Sequence, residues 1–402
     1  MKNMLSIPKK DLIEYLAIIS ILLTSKSTYF MMNNIACILA FIFIAVFIAI
    51  KNNKFFTNFN SSFQFLILLY ILYIVNGVYY NSYRVTFFIY PLGTYLILSC
   101  IELNNFRKKL LNVTYVIAFL SILVYIAHLF HLITPTITRV YLGAESEIWQ
   151  WFGFNFVNSY SWYVQHRHAG PFHEPGAYQI ILNLALLFNL GNLFKEGRKE
   201  TFKEIIILLA LFLTMSTNAY LSAILILTVS FKDKIFTSRY LAIPLLLMFI
   251  GICYYILTSD VIVEKFAGQA EEGSSAYIRK NDMLACLRMF QEHPFLGIGN
   301  GREFEWFSLI YDNRTSSNGI IAELARLGIF WLILYFSYYF KAVKKICANN
   351  RLNYWIIVIV GIILFSNEDM MGFPIAYIMI FQFKKSLSND NYQSSLNYEQ
   401  KT

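Results

Sequence analysis

The chain has 402 residues, of which 57% are apolar and 14% charged. That balance excludes an ordinary soluble domain and predicts an all-α polytopic membrane protein. The formal charge of +9 follows from orientation in a membrane and is no evidence for nucleic acid binding.

In chain order, apolar runs near the ~20 residues that a membrane-crossing helix needs lie at 12–25, 31–50, 63–80, 85–101 and 110–133. A polar, aromatic segment at 134–175 interrupts them, and the apolar runs resume at 176–194. The stretch 203–231 is long for one span and short for two. Lys195, Arg198, Lys199 and Lys203 precede it and Lys232, Lys234 and Arg239 follow it, so both ends are cytoplasmic by the positive-inside rule. It reads as a hairpin of two spans turning at Ser216, Thr217 and Asn218. A run at 240–257, a second long polar segment at 258–317 and a run at 318–340 come next. A further hairpin over 352–383 turns near Asn367, Glu368 and Asp369. The expectation is about 12 transmembrane helices in a single integral membrane domain, 1–385, with a disordered cytoplasmic tail at 386–402.

This topology puts both termini in the cytoplasm and both long loops outside. Inside segments then hold 22 basic and 9 acidic residues, and outside segments 11 basic and 15 acidic. Of the inside bases 18 are Lys, whereas 8 of the outside bases are Arg. Lysine inside is generic anchoring. Arginine outside runs against the rule and points to bidentate gripping of phosphate or carboxylate. All six histidines also fall on the outer half. Of the five cysteines, only Cys286 lies in an outer loop, so no outer disulfide forms within one chain.

The outer loops carry the chemistry. The first ends in the run Arg167 to Gly176, RHAGPFHEPG, and also contains Trp149, Trp151 and Trp162. Those tryptophans suit an interfacial aromatic belt or stacking surfaces for sugar rings. His166, His168 and His173 match no common zinc spacing, so neither a metal nor a cofactor is expected. The second loop holds a helix at about 276–291 followed by HPFLGIGNG, His293 to Gly301. That is a sharp turn whose backbone amides are free to approach an anion.

These elements resemble a family. Arg167, Gly170, Phe172, Glu174 and Pro175, entering a membrane helix, look like the element found in bacterial O-antigen and capsule polymerases, the Wzy-like proteins. Arg279, His293, Pro294, Gly297, Gly299 and Gly301, followed by Glu323 and Gly328, are similar to the Wzy/O-antigen ligase superfamily pattern. The hairpin turn LTMSTNAYLS fits it too.

The resemblance implies a glycosyltransferase at the outer face of the bacterial plasma membrane. Such an enzyme moves a growing glycan from a polyprenyl-pyrophosphate carrier to a lipid-linked repeat unit, among membrane lipids and with a chain-length regulator protein as partner. Glu174 and His173 are the expected catalytic groups, and Arg167, Arg279, Arg288, Asn318 and Glu323 the substrate-binding ones. Ligases of the family usually carry a His-Asn pair where this chain has Ser317-Asn318, which favours a polymerase over a ligase. A lipid-linked oligosaccharide flippase is the alternative from another class, but transporters place ionisable groups near the bilayer midplane.

Bland readings stand beside these. Arg167 can pair with Glu174 or with lipid phosphate, His173 or Glu174 can cap the next helix, and Glu323 with Arg326 forms a self-satisfying i,i+3 pair. Arg288, nine residues from Arg279, emerges on the opposite side of a straight helix and ~13.5 Å along it.

Single cysteines near 145 or 270 on a Cys-free background are expected to react with an impermeant thiol reagent in intact cells. Labelling only after permeabilisation overturns the topology.

Overall fold

The computed structural model describes residues 9–52, 60–141, 145–156, 167–237, 275–300, 302, 305–307, 316–347, 350–366 and 368–384. The expected span at 240–257 and the tail at 386–402 lie outside them.

Helices α1 (Lys9–Leu23), α2 (Thr28–Met32), α3 (Asn34–Lys51), α4 (Ser61–Tyr80), α5 (Thr86–Cys100) and α6 (Leu103–Leu129) come first. Strands β1 (Thr136–Tyr141), β2 (Glu145–Trp151) and β3 (Phe154–Phe156) follow. Then come α7 (Pro175–Phe188), α8 (Arg198–Leu213), α9 (Thr217–Thr237), α10 (Ser275–Glu292), α11 (Gly319–Ile346), α12 (Arg351–Ser366) and α13 (Pro374–Tyr377). Among the described residues α3, α4, α6 and α11 are long and apolar enough to cross a membrane, with shorter apolar helices at α5, α7, α9 and α12. A polytopic, mostly helical membrane architecture is therefore observed.

Helix α7 is the axis of the bundle. All 14 of its residues are buried, as an apolar surface right round a helix requires. It packs against α6, α8, α9 and α12. Outer helices show the reverse pattern: α3 leaves Ile35, Leu39, Phe43 and Ile50 exposed, the surface a lipid-facing helix needs.

Charges mark the two ends of the bundle. At one, buried Lys109 holds Asp11 at 2.6 Å and Glu14 at 2.5 Å, Lys203 holds Glu200 at 2.8 Å, and the backbone at Glu102 pairs with that at Lys384. At the other, the turn after α1 pairs with the segment before α7 through Ser27 and Phe172.

Three observations depart from the sequence expectations. The protein is not all-α as expected, because in the first outer loop β1, β2 and β3 form an antiparallel sheet in that order. Alternation of Thr, Val and Trp over these residues fits a pleated surface. The second departure is the expected span at 370–383, which is helical only over Pro374–Tyr377. Its neighbours supply what a helix would: Ser25 Oγ accepts from the Ile375 N–H, Ser62 Oγ accepts from the Gln382 N–H, and Tyr335 donates to the Ala376 carbonyl. Irregular backbone is tolerated at membrane depth only when enclosed in protein, and Ile375 to Phe381 are buried.

The third departure is the Gly-x-Gly turn, whose amides are already spent. Ile298 and Gly299 N–H donate to the carbonyls of Ala325 and Arg326, at 2.9 and 3.1 Å, and Ile329 N–H donates to Pro294 O at 2.8 Å. The turn splints a break in α11 at Gly328, where φ is 73° and ψ −171°. A Cβ on Gly328 would overlap the Phe295 carbonyl.

Gly328→Ala is therefore expected to destabilise the protein by at least the ~1–3 kcal/mol of a forbidden backbone region. Thermal unfolding of the detergent-solubilised protein reads this, and Ala at the exposed Leu284 is the matched control.

Candidate active site at one end of the bundle

The run Arg167 to Gly176 is held from two sides. On one, Asn155 N–H donates to Gly170 O at 2.8 Å, Asn155 Nδ2 donates to His173 O, and Phe156 bridges to His168. On the other, Thr28 N–H donates to Pro171 O at 2.9 Å and His173 N–H to Lys26 O at 3.0 Å. Gly170 turns the chain with φ 55° over the Tyr178 ring, and Phe172 stacks on the same ring at 5.5 Å. Pro175 then opens α7 at the position where its missing N–H costs nothing.

Glu174 occupies the N-cap position of α7, but its side chain makes no capping hydrogen bond. The carboxylate instead lies 3.7 Å from Lys26 Nζ. Lys26 has φ 56°, a left-handed conformation uncommon outside glycine and found at functional turns. Arg279, on the first turns of α10, donates through Nη2 to Glu368 Oε1 at 3.0 Å. Glu368 also hydrogen-bonds the Glu174 carboxyl. Arg167 donates through Nε to Thr214 O at 3.1 Å and interacts electrostatically with Glu368, Arg279 and Glu174. Five segments remote in sequence thus meet: the turn after α1, the entry to α7, the α8–α9 turn, α10 and the α12–α13 turn.

Exposure separates mouth from floor. The side chains of Glu174 and Arg279 are 39% and 32% exposed, Lys26 is 16% exposed, and Glu368 only 6%. Glu174 is recessed among protein atoms yet open to solvent.

Burial by itself would raise the Glu174 carboxyl, but Lys26, His173, the hydrogen bond from Glu368, and Arg279 outweigh it and hold it down to about 2. Burial and the neighbouring Glu174 charge push Glu368 up to about 8 against Arg279 and Lys26. Near neutrality the pair holds one proton, on Glu368, because two adjacent carboxylates in a partly dry site cannot both ionise cheaply. Burial lowers His173, which Glu174 partly offsets, so its imidazole is neutral, and its Nδ1 has no hydrogen-bond partner among the described residues. Burial likewise lowers Arg167, with Glu368 opposing.

A second ion cluster lies behind. Buried Arg326 grips Asp369 through both terminal nitrogens, at 3.2 and 2.9 Å, and Glu323 at 2.8 Å. Lys26 reaches it electrostatically, as does Arg84 from the α4–α5 turn.

The expected residues therefore divide. Arg167, His173, Glu174 and Arg279 come together. Glu323 is 1% exposed and tied to Arg326, as its i,i+3 spacing indicates, and stands behind the site. Asn318 donates to the Arg279 carbonyl at 2.9 Å, so its amide anchors the arginine's helix. Arg288 is exposed on α10 and the helix geometry carries it away from Arg279. His166 lies outside the described residues, and buried His168 packs between Tyr125 and Tyr178. Among the described residues no group of three metal-ligating side chains occurs.

Lys26, Glu368 and Asp369 were missed as site residues. The only sequence signal for the acidic pair was two adjacent carboxylates at an outward hairpin tip, and for Lys26 a lysine on the arginine-rich side.

Arg326→Met is expected to cost about 3–5 kcal/mol in thermal unfolding, because it strands two carboxylates in a dry interior. Adding Glu323→Leu and Asp369→Leu should restore much of that loss. Equal stability of parent and single variant overturns the assignment of Arg326 as a structural anchor.

No curated protein matches the chain. Residues 205–336 match the family model described as O-antigen ligase. The matched stretch runs from α8 through Arg279, the Gly-x-Gly turn and the Gly328 break, and this similarity supports a place for the chain in the Wzy/O-antigen ligase superfamily.

Proposed function

We propose that the protein is a polysaccharide polymerase that transfers a growing glycan from a polyprenyl-pyrophosphate carrier to a lipid-linked repeat unit. The observation that carries this reading is the open carboxylate of Glu174 set among Lys26, Arg167 and Arg279 at one end of a membrane bundle. A hydroxyl of the acceptor sugar attacks the anomeric carbon of the donor glycan. The carbon–oxygen bond to the pyrophosphate breaks, its electron pair stays on the departing phosphate oxygen, and the hydroxyl proton goes to Glu174. Arg167 and Arg279 stabilise the charge that accumulates on the leaving group, already oriented before the reaction begins.

A carboxylate held near 2 by cations is a weak base at rest. An arriving pyrophosphate neutralises those cations, so the basicity of Glu174 rises when the substrate is in place. Neutral His173 is the neighbouring alternative acceptor.

A ligase that joins finished glycan to another acceptor uses the same chemistry, and the family match supports it equally. Ser317 in place of the ligases' histidine, together with Glu174, favours the polymerase. Surface glycan from a deletion strain separates the readings. Loss of a polymerase leaves single repeat units attached, loss of a ligase leaves lipid-linked polymer, and loss of a flippase leaves units stranded inside.

Arg167→Lys and Arg279→Lys keep the charge but lose the planar fork, so each should slow polymer formation by the purified protein at least about tenfold. Glu174→Gln should abolish it, and Arg288→Lys should leave it near the parental rate. Parental rates in both arginine variants would remove the phosphate-clamp role.

A further inference from the structure

Glu368 occupies a socket built for it. A Cβ on Gly176, in the first turn of α7, would overlap the Glu368 carboxyl, and a Cβ on Gly319, at the start of α11, would overlap the Glu368 carbonyl. The first turns of both helices thus lie against this residue, leaving no room there for a larger side chain. Arg279 closes the socket at 3.0 Å, with Lys26, Arg167 and Glu174 facing the carboxyl from the other segments. Asp369, next in sequence, is turned away onto Arg326.

We propose that Glu368 is a positioning residue that fills the place of an anion, holding Arg279 for an incoming pyrophosphate and sharing one proton with Glu174. The proposal deepens the glycan-transfer reading and rests on it for the identity of the anion. While Glu368 is protonated, it contacts Arg279 as a neutral acceptor that a doubly charged phosphate displaces easily. Once Glu368 ionises, it competes for Arg279 as a full charge and adds repulsion toward the phosphate. Since its carboxyl titrates at about 8, the neutral form prevails at pH 7 and the charged form at pH 9.

The full-length protein in detergent is tested with farnesyl pyrophosphate as probe, by calorimetry at pH 7 and pH 9. The fall in affinity over that interval should be at least about fivefold greater for the parent than for Glu368→Gln, which keeps shape and neutrality. A role in packing alone would not remove the alkaline loss. Because the comparison is between parent and variant at each pH, ionisation of the probe and of His173 cancels.

Infrared spectra of the parent need no variant: a carboxylic acid C=O band should bleach between pH 7 and pH 9, and should be missing from Glu368→Gln if that protein folds. An equal alkaline loss in parent and Gln variant overturns the proposal, as does the lack of a titrating band in the parent. No binding by the parent at pH 7 overturns the pyrophosphate reading itself. Tight binding with no pH dependence overturns only the role of Glu368.

Discussion

The chain of contacts from Lys26 to Glu174 to Glu368 to Arg279 holds this end of the molecule together. Each residue comes from a different segment. At a membrane surface, none of these charges is cheap to desolvate alone, and a buried ion left without its partner costs several kcal/mol. The segments must therefore arrive together, and the helices behind them must end where the charges can meet.

Those endings account for much of the irregular backbone. Helix α7 begins at Pro175 so that Glu174 stands free of the helix. Helix α11 is broken at Gly328 and splinted by the turn at Gly297 and Gly299. The break lies two residues past Arg326, whose carbonyl receives one of the splinting bonds while its guanidinium binds Asp369. Backbone left open by a broken helix in an apolar medium needs internal partners, and this glycine-rich segment comes close enough to supply them.

The same chain sets the balance of charge. Lys26, Arg167 and Arg279 face Glu174 and Glu368, which hold a proton between them. The site therefore keeps excess positive charge near neutrality. Its exposed members, Glu174 and Arg279, are one acceptor and one donor. That is the minimum that the proposed transfer, moving a proton one way and accumulating phosphate charge the other, requires.

Hydropathy and the distribution of lysine were enough to determine a polytopic helical protein and to place a hairpin turn at 216–218, within two residues of the observed break between α8 and α9, because the length of an apolar run and the cost of moving charge across lipid are local properties of sequence. The arginine excess in the polar loops, together with the family resemblance of their motifs, singled out Arg167, Glu174 and Arg279 as candidates. Tertiary structure decided the rest. The strands at 136–156 gain meaning only by pairing with one another and with His168. The final apolar run, 370–383, looks helical until Ser25, Ser62 and Tyr335 are found supplying its hydrogen bonds. The glycines at 297 and 299, read as an open cradle for an anion, are occupied by a helix nearly thirty residues further along. Lys26 and Glu368 are nearly 350 residues apart, and no local pattern announces that they share a carboxylate partner. Their place in the site depends on distances across the bundle, which sequence spacing does not encode.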